Sequence, residues 1–231
     1  MMIRLYVNAP LKDDGTVSLT DEQVHYLFHV MRRCEGDELL LFNGQEGEWL
    51  GILSVLTKKQ GVIQLKKQVR EQTQTRGAIL AMALIKKDNF DMVLQKATEL
   101  GVRKIIPLIT ERTVISKLNL ERAKSIVIEA AEQCERLDVP QVDEPISLKF
   151  FLNMDIDQRI YLSERGQTTG IINKEKDVCF VIGPEGGWSP NEIKAFEAAQ
   201  NTQALNLGQL ILRAETAAIS VLAAHRFDIC G

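Results

Sequence analysis

The sequence has no apolar run of transmembrane length and no closely spaced pair of cysteines. Its first seven residues are too short in their apolar part, and too soon followed by the charged residues 12–14, to form a signal peptide. The cysteines lie far apart, without the Cys-x-x-Cys spacing of zinc and redox motifs. They are Cys34, Cys134, Cys179 and Cys230. We therefore expect a cytoplasmic protein with reduced structural thiols, no membrane segment and no metal.

An excess of positive charge is also lacking, because the net charge at pH 7 is −3. Nucleic-acid binding depends on clustered Lys and Arg, so this balance taken alone favours a small-molecule enzyme. The two parts of the chain differ, however. Residues 1–136 carry 20 Lys and Arg against 18 Asp and Glu, a balance of +2, whereas residues 137–231 carry 8 against 13, a balance of −5. Any RNA-binding surface is therefore expected in the first part.

The glycine-rich stretch at residues 181–188, with the sequence VIGPEGGW, lacks the motifs of the common phosphate sites. A P-loop needs Lys and Ser or Thr after its glycines, and a dinucleotide site needs Gly-x-Gly-x-x-Gly. The stretch follows an apolar run of strand length and precedes a capping box, Ser189 to Glu192, with proline at the first helical position. It therefore joins a strand to a helix, where open α/β sheets bind ligands. Glu185 would repel phosphate, so we expect a ligand held by backbone and apolar contacts, or an ordinary turn.

A second segment near the C-terminus favours the ligand site over the turn. Residues 205–208 are expected to form a short strand that ends at Gly208. Arg213, Glu215 and Thr216 then bring charge and a hydroxyl into an otherwise apolar, helix-forming run. We expect this segment, residues 207–217, and the glycine-rich stretch to form one site.

The first 70 residues are typical of a small β-rich module. Strands are predicted at residues 3–7, 38–42, 49–55 and 62–66 from their apolar patterns. A capping box at residues 20–23 predicts a helix that runs to about Arg33 and is closed by Gly36. The polar residues 71–77 then suit a linker between domains.

The remaining residues, 78–231, are typical of an α/β domain. The continuous apolar run at residues 78–85 predicts a strand covered on both faces. Helices are expected at residues 88–100 and 119–136, and from Ala217 to Phe227. Further strands are expected at residues 104–108, 159–162 and 178–182. This alternation predicts a mainly parallel sheet.

The two C-terminal segments closely resemble the RsmE family of 16S ribosomal RNA uridine-N3 methyltransferases, members of the SPOUT class. The similarity runs almost end to end. It also includes residues 25–32 with Gly36 and Asp37, residues 95–102 with Ile106, Pro107 and Arg112, and residues 129–136 with Pro140. The family usually has leucine at the position of Met31 and a small hydroxyl residue at that of Cys134. We expect both differences to be structural.

The resemblance implies a PUA-like β-barrel domain that helps to hold the small ribosomal subunit, followed by a SPOUT-like domain with a C-terminal trefoil knot. It implies S-adenosyl-L-methionine as cofactor, 16S ribosomal RNA as substrate and a homodimer. The residues expected to bind the cofactor are Leu162, Ser163, Gly183, Pro184, Glu185, Gly186, Gly187, Leu207, Gly208, Leu212 and Ala217. Those expected to contact RNA are His25, Arg32, Arg33, Arg112 and Arg136.

Arg213, Glu215 and Thr216 are the expected catalytic residues. Attack by uracil N3 requires loss of its proton, which calls for a base or for a cation that stabilises the developing anion. Arg213 is assigned to substrate anchoring and charge stabilisation. Glu215 is assigned either to the chemistry or to orienting Arg213 or capping the final helix.

Each functional role has a structural alternative. His25 and Arg32 could be a hydrogen-bonded helix histidine and a solvated charge, and Trp188 could be a hydrophobic anchor in place of a base-stacking residue. Arg136 could form a packed polar pair with Gln133, its neighbour on the same predicted helix. Two other activities also stay open: a SPOUT-like methyltransferase that acts on another nucleotide, and a non-catalytic RNA-binding or ribosome-assembly protein.

Overall fold

The computed structural model of the protein describes residues 2–73, 75–164 and 177–227. The chain forms two compact units, Met1–Gln74 with Ala131–Val139, and Thr75–Ala130 with Pro140–Gly231. Each unit contains one β-sheet. The grouping of residues 131–139 with the first unit has no signal in the sequence pattern. The domain limits 1–70 and 78–231 stay a proposal.

The N-terminal unit is built on a five-stranded sheet in the order β1-β3-β4-β5-β2. Its elements are β1 (Arg4–Tyr6), β2 (Thr16–Ser18), α1 (Asp21–His25), a π-helix (Tyr26–Val30), β3 (Glu38–Phe42), β4 (Glu48–Leu56) and β5 (Gly61–Arg70). β1 pairs with β3 in parallel, and the other pairs are antiparallel. The four predicted strands are confirmed, while β2 and the extension of β5 to Arg70 were not predicted. Alternate residues of β3 and β5, such as Leu39 and Ile63, are fully buried in the core.

The first helix begins as predicted and ends early. Thr20 Oγ1 accepts the backbone N–H of Gln23 at 3.3 Å, and Gln23 Oε1 accepts that of Thr20 at 3.1 Å, which completes the capping box. The helix then widens into the π-helix and stops at Met31, because Arg32 has a left-handed φ of 50°. The prediction that it continues to Arg33 and is closed by Gly36 is therefore wrong.

A buried arginine joins residues 131–139 to the sheet of this unit. Arg4 Nε donates to Glu48 Oε1 at 2.6 Å. Its Nη atoms donate at 2.9–3.1 Å to the backbone oxygens of Ala131, Glu132 and Arg136. These carbonyls lie at and beyond the end of a helix, where an arginine can satisfy oxygens that have no helical partner.

The second unit is built on a parallel sheet in the order β12-β10-β11-β6-β7-β8, with β9 also paired to β7. Its strands are β6 (Ile79–Ala83), β7 (Lys104–Ile109), β8 (Gln141–Val142), β9 (Ile146–Ser147), β10 (Gln158–Leu162), β11 (Val178–Ile182) and β12 (Thr202–Leu205). Its helices are α2 (Lys87–Glu99), α3 (Leu120–Gln133), α4 (Leu148–Leu152), α5 (Pro190–Ala198) and α6 (Ala214–Arg226). The predicted mainly parallel sheet is confirmed.

Two boundaries near the C-terminus differ from prediction. β12 ends at Leu205, because the next residue, Asn206, forms a turn in which its Oδ1 accepts the N–H of Gly208 at 2.7 Å. Of the strand predicted at residues 205–208, only Leu205 lies in a strand, and residues 206–208 form a loop. The final helix begins at Ala214 and not at Ala217, so Glu215 and Thr216 lie in its first turn.

The central strands β6 and β11 are buried along their whole length, as expected for a parallel sheet covered on both faces. Cys179 lies on β11, and burial raises the pKa of its thiol to about 12. This thiol is therefore an inert packing group at neutral pH. Cys34, Cys134 and Cys179 are free thiols, and Cys230 lies outside the described residues.

Candidate functional site

The two predicted segments meet in one cavity of about 1000 Å³. The cavity lies where β6, β10, β11 and β12 reach their carboxyl ends. All the residues predicted to bind the cofactor line it, together with Arg112, Arg213 and Glu215. Thr216 is exposed and does not line it. The two segments expected to form one site therefore line one cavity of the second unit, and Thr216 is outside its wall; the roles of the lining residues stay predictions.

A second cavity, of about 920 Å³, is lined by residues of α4 and α5 and by Arg159. It contains none of the predicted catalytic or cofactor residues. Arg159 is buried there, and its Nη1 donates to the backbone oxygen of Gln200 at 3.2 Å. Desolvation lowers the pKa of this guanidinium. The first cavity is therefore the candidate active site.

The glycine-rich segment is a tight turn supported by Trp188. Gly187 has φ +66°, and its N–H donates to Pro184 O at 2.9 Å. A Cβ on Gly183 would lie 3.0 Å from the Trp188 ring, so any other residue there would press on this ring. The indole Nε1 donates to Leu162 O at 2.8 Å. Trp188 is therefore the hydrophobic anchor that the sequence offered as the alternative to base stacking.

Three further side chains hold this turn in place. Arg112 Nη1 donates to Gly186 O at 2.8 Å, and its aliphatic carbons pack on Gly186. Glu185 Oε1 accepts the N–H of Lys86 at 3.4 Å. Glu192 Oε1 accepts the N–H of Glu111, next to Arg112, at 2.8 Å. Arg112, predicted to contact RNA, thus also supports the glycine-rich turn, and its RNA contact stays a prediction.

The start of α6 places one exposed cation and one buried carboxylate at the cavity. The Arg213 side chain is 83% exposed, and its Nη1 lies 4.0 Å from Glu215 Oε1. The Glu215 side chain is only 9% exposed. Its Oε2 is buried and has no hydrogen-bond partner among the described residues. The helix dipole of α6 favours a negative charge in its first turn, where Glu215 lies. A buried acceptor such as Glu215 Oε2 nevertheless normally has a hydrogen-bond donor. The unpaired oxygen therefore points to a bound donor group in the cavity.

The other predicted RNA residues lie in the N-terminal unit. His25 and Arg32 are exposed, and the His25 and His29 rings lie 4.9 Å apart. Arg33 Nη1 lies 3.8 Å from Asp37. Arg136 is nearly buried and donates to both carboxylate oxygens of Asp138, at 3.2 and 3.1 Å. His25 and Arg32 are thus exposed to a partner, whereas Arg136 pairs with Asp138 and not with Gln133, the pair offered as its alternative.

Comparison with known proteins identifies the family. The RNA methyltransferase domain model matches residues 72–226, and the RNA methyltransferase PUA domain model matches residues 19–66. A Rickettsia conorii protein named ribosomal RNA small subunit methyltransferase E is 35% identical over 230 residues, 96% of this chain and 94% of that protein. The chain belongs to the ribosomal RNA small subunit methyltransferase E family.

Two solved structures extend the similarity to the fold. The family member from Neisseria gonorrhoeae, bound to S-adenosyl methionine, is 32% identical, with a TM-score of 0.88 and 98% of each chain covered. A methyltransferase from Legionella pneumophila, in complex with the cofactor SAM, is 30% identical, also with a TM-score of 0.88, over 99% of this chain and 98% of that one. The family, the mainly parallel sheet of the second unit and the PUA-type domain expected from the resemblance are confirmed.

Several residues of the cavity wall were not predicted from the family motifs. They include Lys86, Asn89, Val114, Ile115, Asn206 and Ile211. Lys86 and Asn89 follow β6, so the carboxyl end of that buried strand was the signal that could have found them. Among the described residues, no helix is long and apolar enough to span a membrane. No cluster of three or more potential metal ligands occurs within that part of the chain.

Proposed function

We propose that this protein uses S-adenosylmethionine to methylate the N3 atom of a uridine in the 16S ribosomal RNA of the small subunit. The observation that carries the proposal is the single cavity formed by residues 182–188 and 205–217, with its unpaired buried carboxylate and exposed arginine. Full-length similarity to proteins named for small-subunit ribosomal RNA methylation supports the substrate. We place the reaction in the cytoplasm, where that RNA is available.

The residues of the cavity fit such a cofactor. Leu162, Leu207 and Leu212 provide apolar wall for a nucleoside, and the glycine turn provides backbone groups. The turn leaves space for a ligand, since a Cβ on Gly187 would meet only Glu164 Oε1, at 3.9 Å. The unpaired Glu215 Oε2 can accept a hydrogen bond from a bound donor group. When bound, the cofactor supplies an electrophilic methyl group.

The acceptor side of the reaction is assigned to the start of α6. Uracil N3 gives up its proton to solvent water, and the negative charge left on the base is shared with the flanking carbonyl oxygens. The N3 lone pair then forms a bond to the methyl carbon as the bond from that carbon to the donor sulfur breaks, which leaves a neutral thioether. Arg213 is exposed enough to donate to one of these oxygens. Holding the base and the methyl group in line supplies much of the acceleration. Arg213 is therefore the proposed catalytic residue, and Glu215 the proposed acceptor of a ligand hydrogen bond.

Replacement of Glu215 by glutamine tests that second role. The change keeps the size of the side chain and replaces a charged acceptor by an amide. We expect the single-turnover rate at saturating RNA to fall about tenfold, as for loss of one hydrogen bond to a charged group. Glu197→Gln on the exposed face of α5 is the matched control and should leave the rate unchanged. An unchanged rate for Glu215→Gln would limit this carboxylate to stabilising the helix N-terminus.

The N-terminal unit is assigned to RNA docking through His25 and Arg32. A uridine in structured RNA must be turned out of its stack, which costs a few kcal/mol, so contacts away from the reacting base are needed. Exposed cations can contact phosphates there without contributing to the chemistry.

We also propose that the active form is a homodimer. Three apolar residues of the cavity wall are largely exposed: Val114 at 95%, Leu210 at 82% and Ile211 at 65%. A patch of this kind is suited to an isologous partner. Light scattering at micromolar concentration is expected to give twice the chain mass of 26.0 kDa. A monomeric mass together with full methylation activity would contradict the dimer.

The activity itself is tested with small subunits from a strain that lacks this protein. Incubation with the protein and S-adenosylmethionine is expected to produce one N3-methyluridine in 16S ribosomal RNA, located by mass spectrometry. A methyl group on another nucleotide would indicate a different SPOUT-like specificity. The absence of cofactor binding in calorimetry would instead favour a non-catalytic role in ribosome assembly.

A further inference from the structure

Asn206 links two walls of the cavity through hydrogen bonds of its side chain. Its Nδ2 donates to the backbone oxygens of Ser163 and Glu164, both at 3.1 Å. Its Oδ1 accepts the N–H of Gly208 at 2.7 Å. Ser163 and Glu164 directly follow β10, and Gly208 belongs to the loop after β12. The amide group therefore continues the link between two neighbouring strands past their ends, beyond the backbone bond from the Ser163 N–H to Leu205 O at 2.9 Å.

All four of these residues line the cavity, so the link acts on the ligand-binding wall itself. Gly208 has φ +114°, and a Cβ there would meet nothing within 4 Å. A side chain at Gly208 would therefore be opposed by backbone strain and not by a clash, and the hydrogen bond to Asn206 Oδ1 holds this backbone. On the β10 side of the cavity, Leu162 O accepts a hydrogen bond from Trp188 Nε1. The carbonyl oxygens of the next two residues, Ser163 and Glu164, accept the hydrogen bonds from Asn206 Nδ2.

We propose that Asn206 is a positioning residue for the methyl donor: its side chain fixes the loop after β10 against the loop after β12 before the ligand binds. The inference rests on the proposed function, because it assigns this cavity to S-adenosylmethionine. Since Asn206 is half-buried, water can replace its partners in the free protein, so global stability depends little on it. A ligand that needs both loops in place must then order them on binding, which lowers its affinity.

Two substitutions distinguish the hydrogen bonds from Asn206 to the loop after β10 from the hydrogen bond that forms the turn at Gly208. Asn206→Asp keeps an acceptor for the Gly208 N–H and replaces the donor by a carboxylate that faces two carbonyl oxygens. Asn206→Ala removes both functions without repulsion. We expect the Kd and KM for S-adenosylmethionine to rise about twentyfold for the aspartate variant and about tenfold for the alanine variant, on the scale of one or two lost hydrogen bonds.

The rate at saturating S-adenosylmethionine should change less than threefold, because Asn206 acts through the loops and not on the reacting groups. A purely structural role would give the opposite pattern, with a lower active fraction and unchanged KM. Asn153→Asp is the matched control, since Asn153 Nδ2 also donates to a backbone oxygen, that of Lys149 at 2.7 Å on α4. It should leave the Kd unchanged.

The outcomes distinguish this inference from the proposed function. If wild-type protein binds S-adenosylmethionine and Asn206→Asp binds it equally well, the positioning role is wrong and the function stands. If wild-type protein shows no binding in calorimetry, the proposed function fails, and with it the inference.

Discussion

Gly187→Val is expected to lower the affinity for S-adenosylmethionine about a hundredfold while the protein stays folded. The reason is backbone conformation and not space. A Cβ at this position would meet only Glu164 Oε1, at 3.9 Å, but φ is +66°. A β-branched residue is a strong outlier in this region, and such strain costs about 1–3 kcal/mol. Valine therefore forces the turn closed by the Gly187 N–H and Pro184 O to open, which moves the cavity wall.

Calorimetry on three variants separates strain at the site from strain elsewhere. Asparagine tolerates the left-handed region better than other residues with a Cβ, so Gly187→Asn should lose much less affinity than Gly187→Val. Gly36→Val introduces similar strain in the N-terminal unit, where φ is +94° and nothing lies within 4 Å. It should leave cofactor affinity unchanged. Wild-type affinity for Gly187→Val would mean that the glycine-rich segment is an ordinary turn.

The sequence predicted those parts of the fold that depend on local signals. The buried strands β6 and β11 appear as uninterrupted apolar runs, and the capping boxes at Thr20 and Ser189 mark two helix starts. The ends of helices were harder to predict. Arg32 adopts a left-handed φ, which its residue type does not predict. The preceding π-helix has no local sequence signature.

The contacts that complete the site join residues far apart in the chain. Arg112 and Gly186 are 74 residues apart, and Asn206 and Ser163 are 43 apart. No periodicity in the sequence relates such pairs. The sequence therefore predicted the two loops but not the hydrogen bonds that hold them in place. The same limit explains Gly183, which was expected only to bind the cofactor, whereas the structure also places it against the Trp188 ring.

Arg213→Ala is expected to slow methyl transfer about a hundredfold with little effect on stability or cofactor affinity. The Arg213 side chain is 83% exposed and its Nη1 lies 4.0 Å from the buried Glu215 Oε1, so solvent screens this long contact and it contributes little to folding. A cation that acts on charge developing in the transition state is worth about 3 kcal/mol, as for an oxyanion contact. The loss should therefore appear in the single-turnover rate measured with saturating RNA. Arg213→Lys, which keeps the charge and loses the planar fork, should be intermediate.

Arg32→Ala is the control for this experiment, because it removes a cation in the N-terminal unit that is assigned to docking. It should weaken binding to small ribosomal subunits and flatten the salt dependence, since fewer counterions are released. Cofactor affinity and the single-turnover rate at saturating RNA should stay at wild-type values. The two alanine variants are therefore expected to lose different properties: the rate of methyl transfer for Arg213→Ala and the affinity for small subunits for Arg32→Ala. If Arg213→Ala behaves like Arg32→Ala, with an unchanged single-turnover rate and only RNA affinity lost, Arg213 belongs to the docking surface and the developing charge on the base must be stabilised by another group.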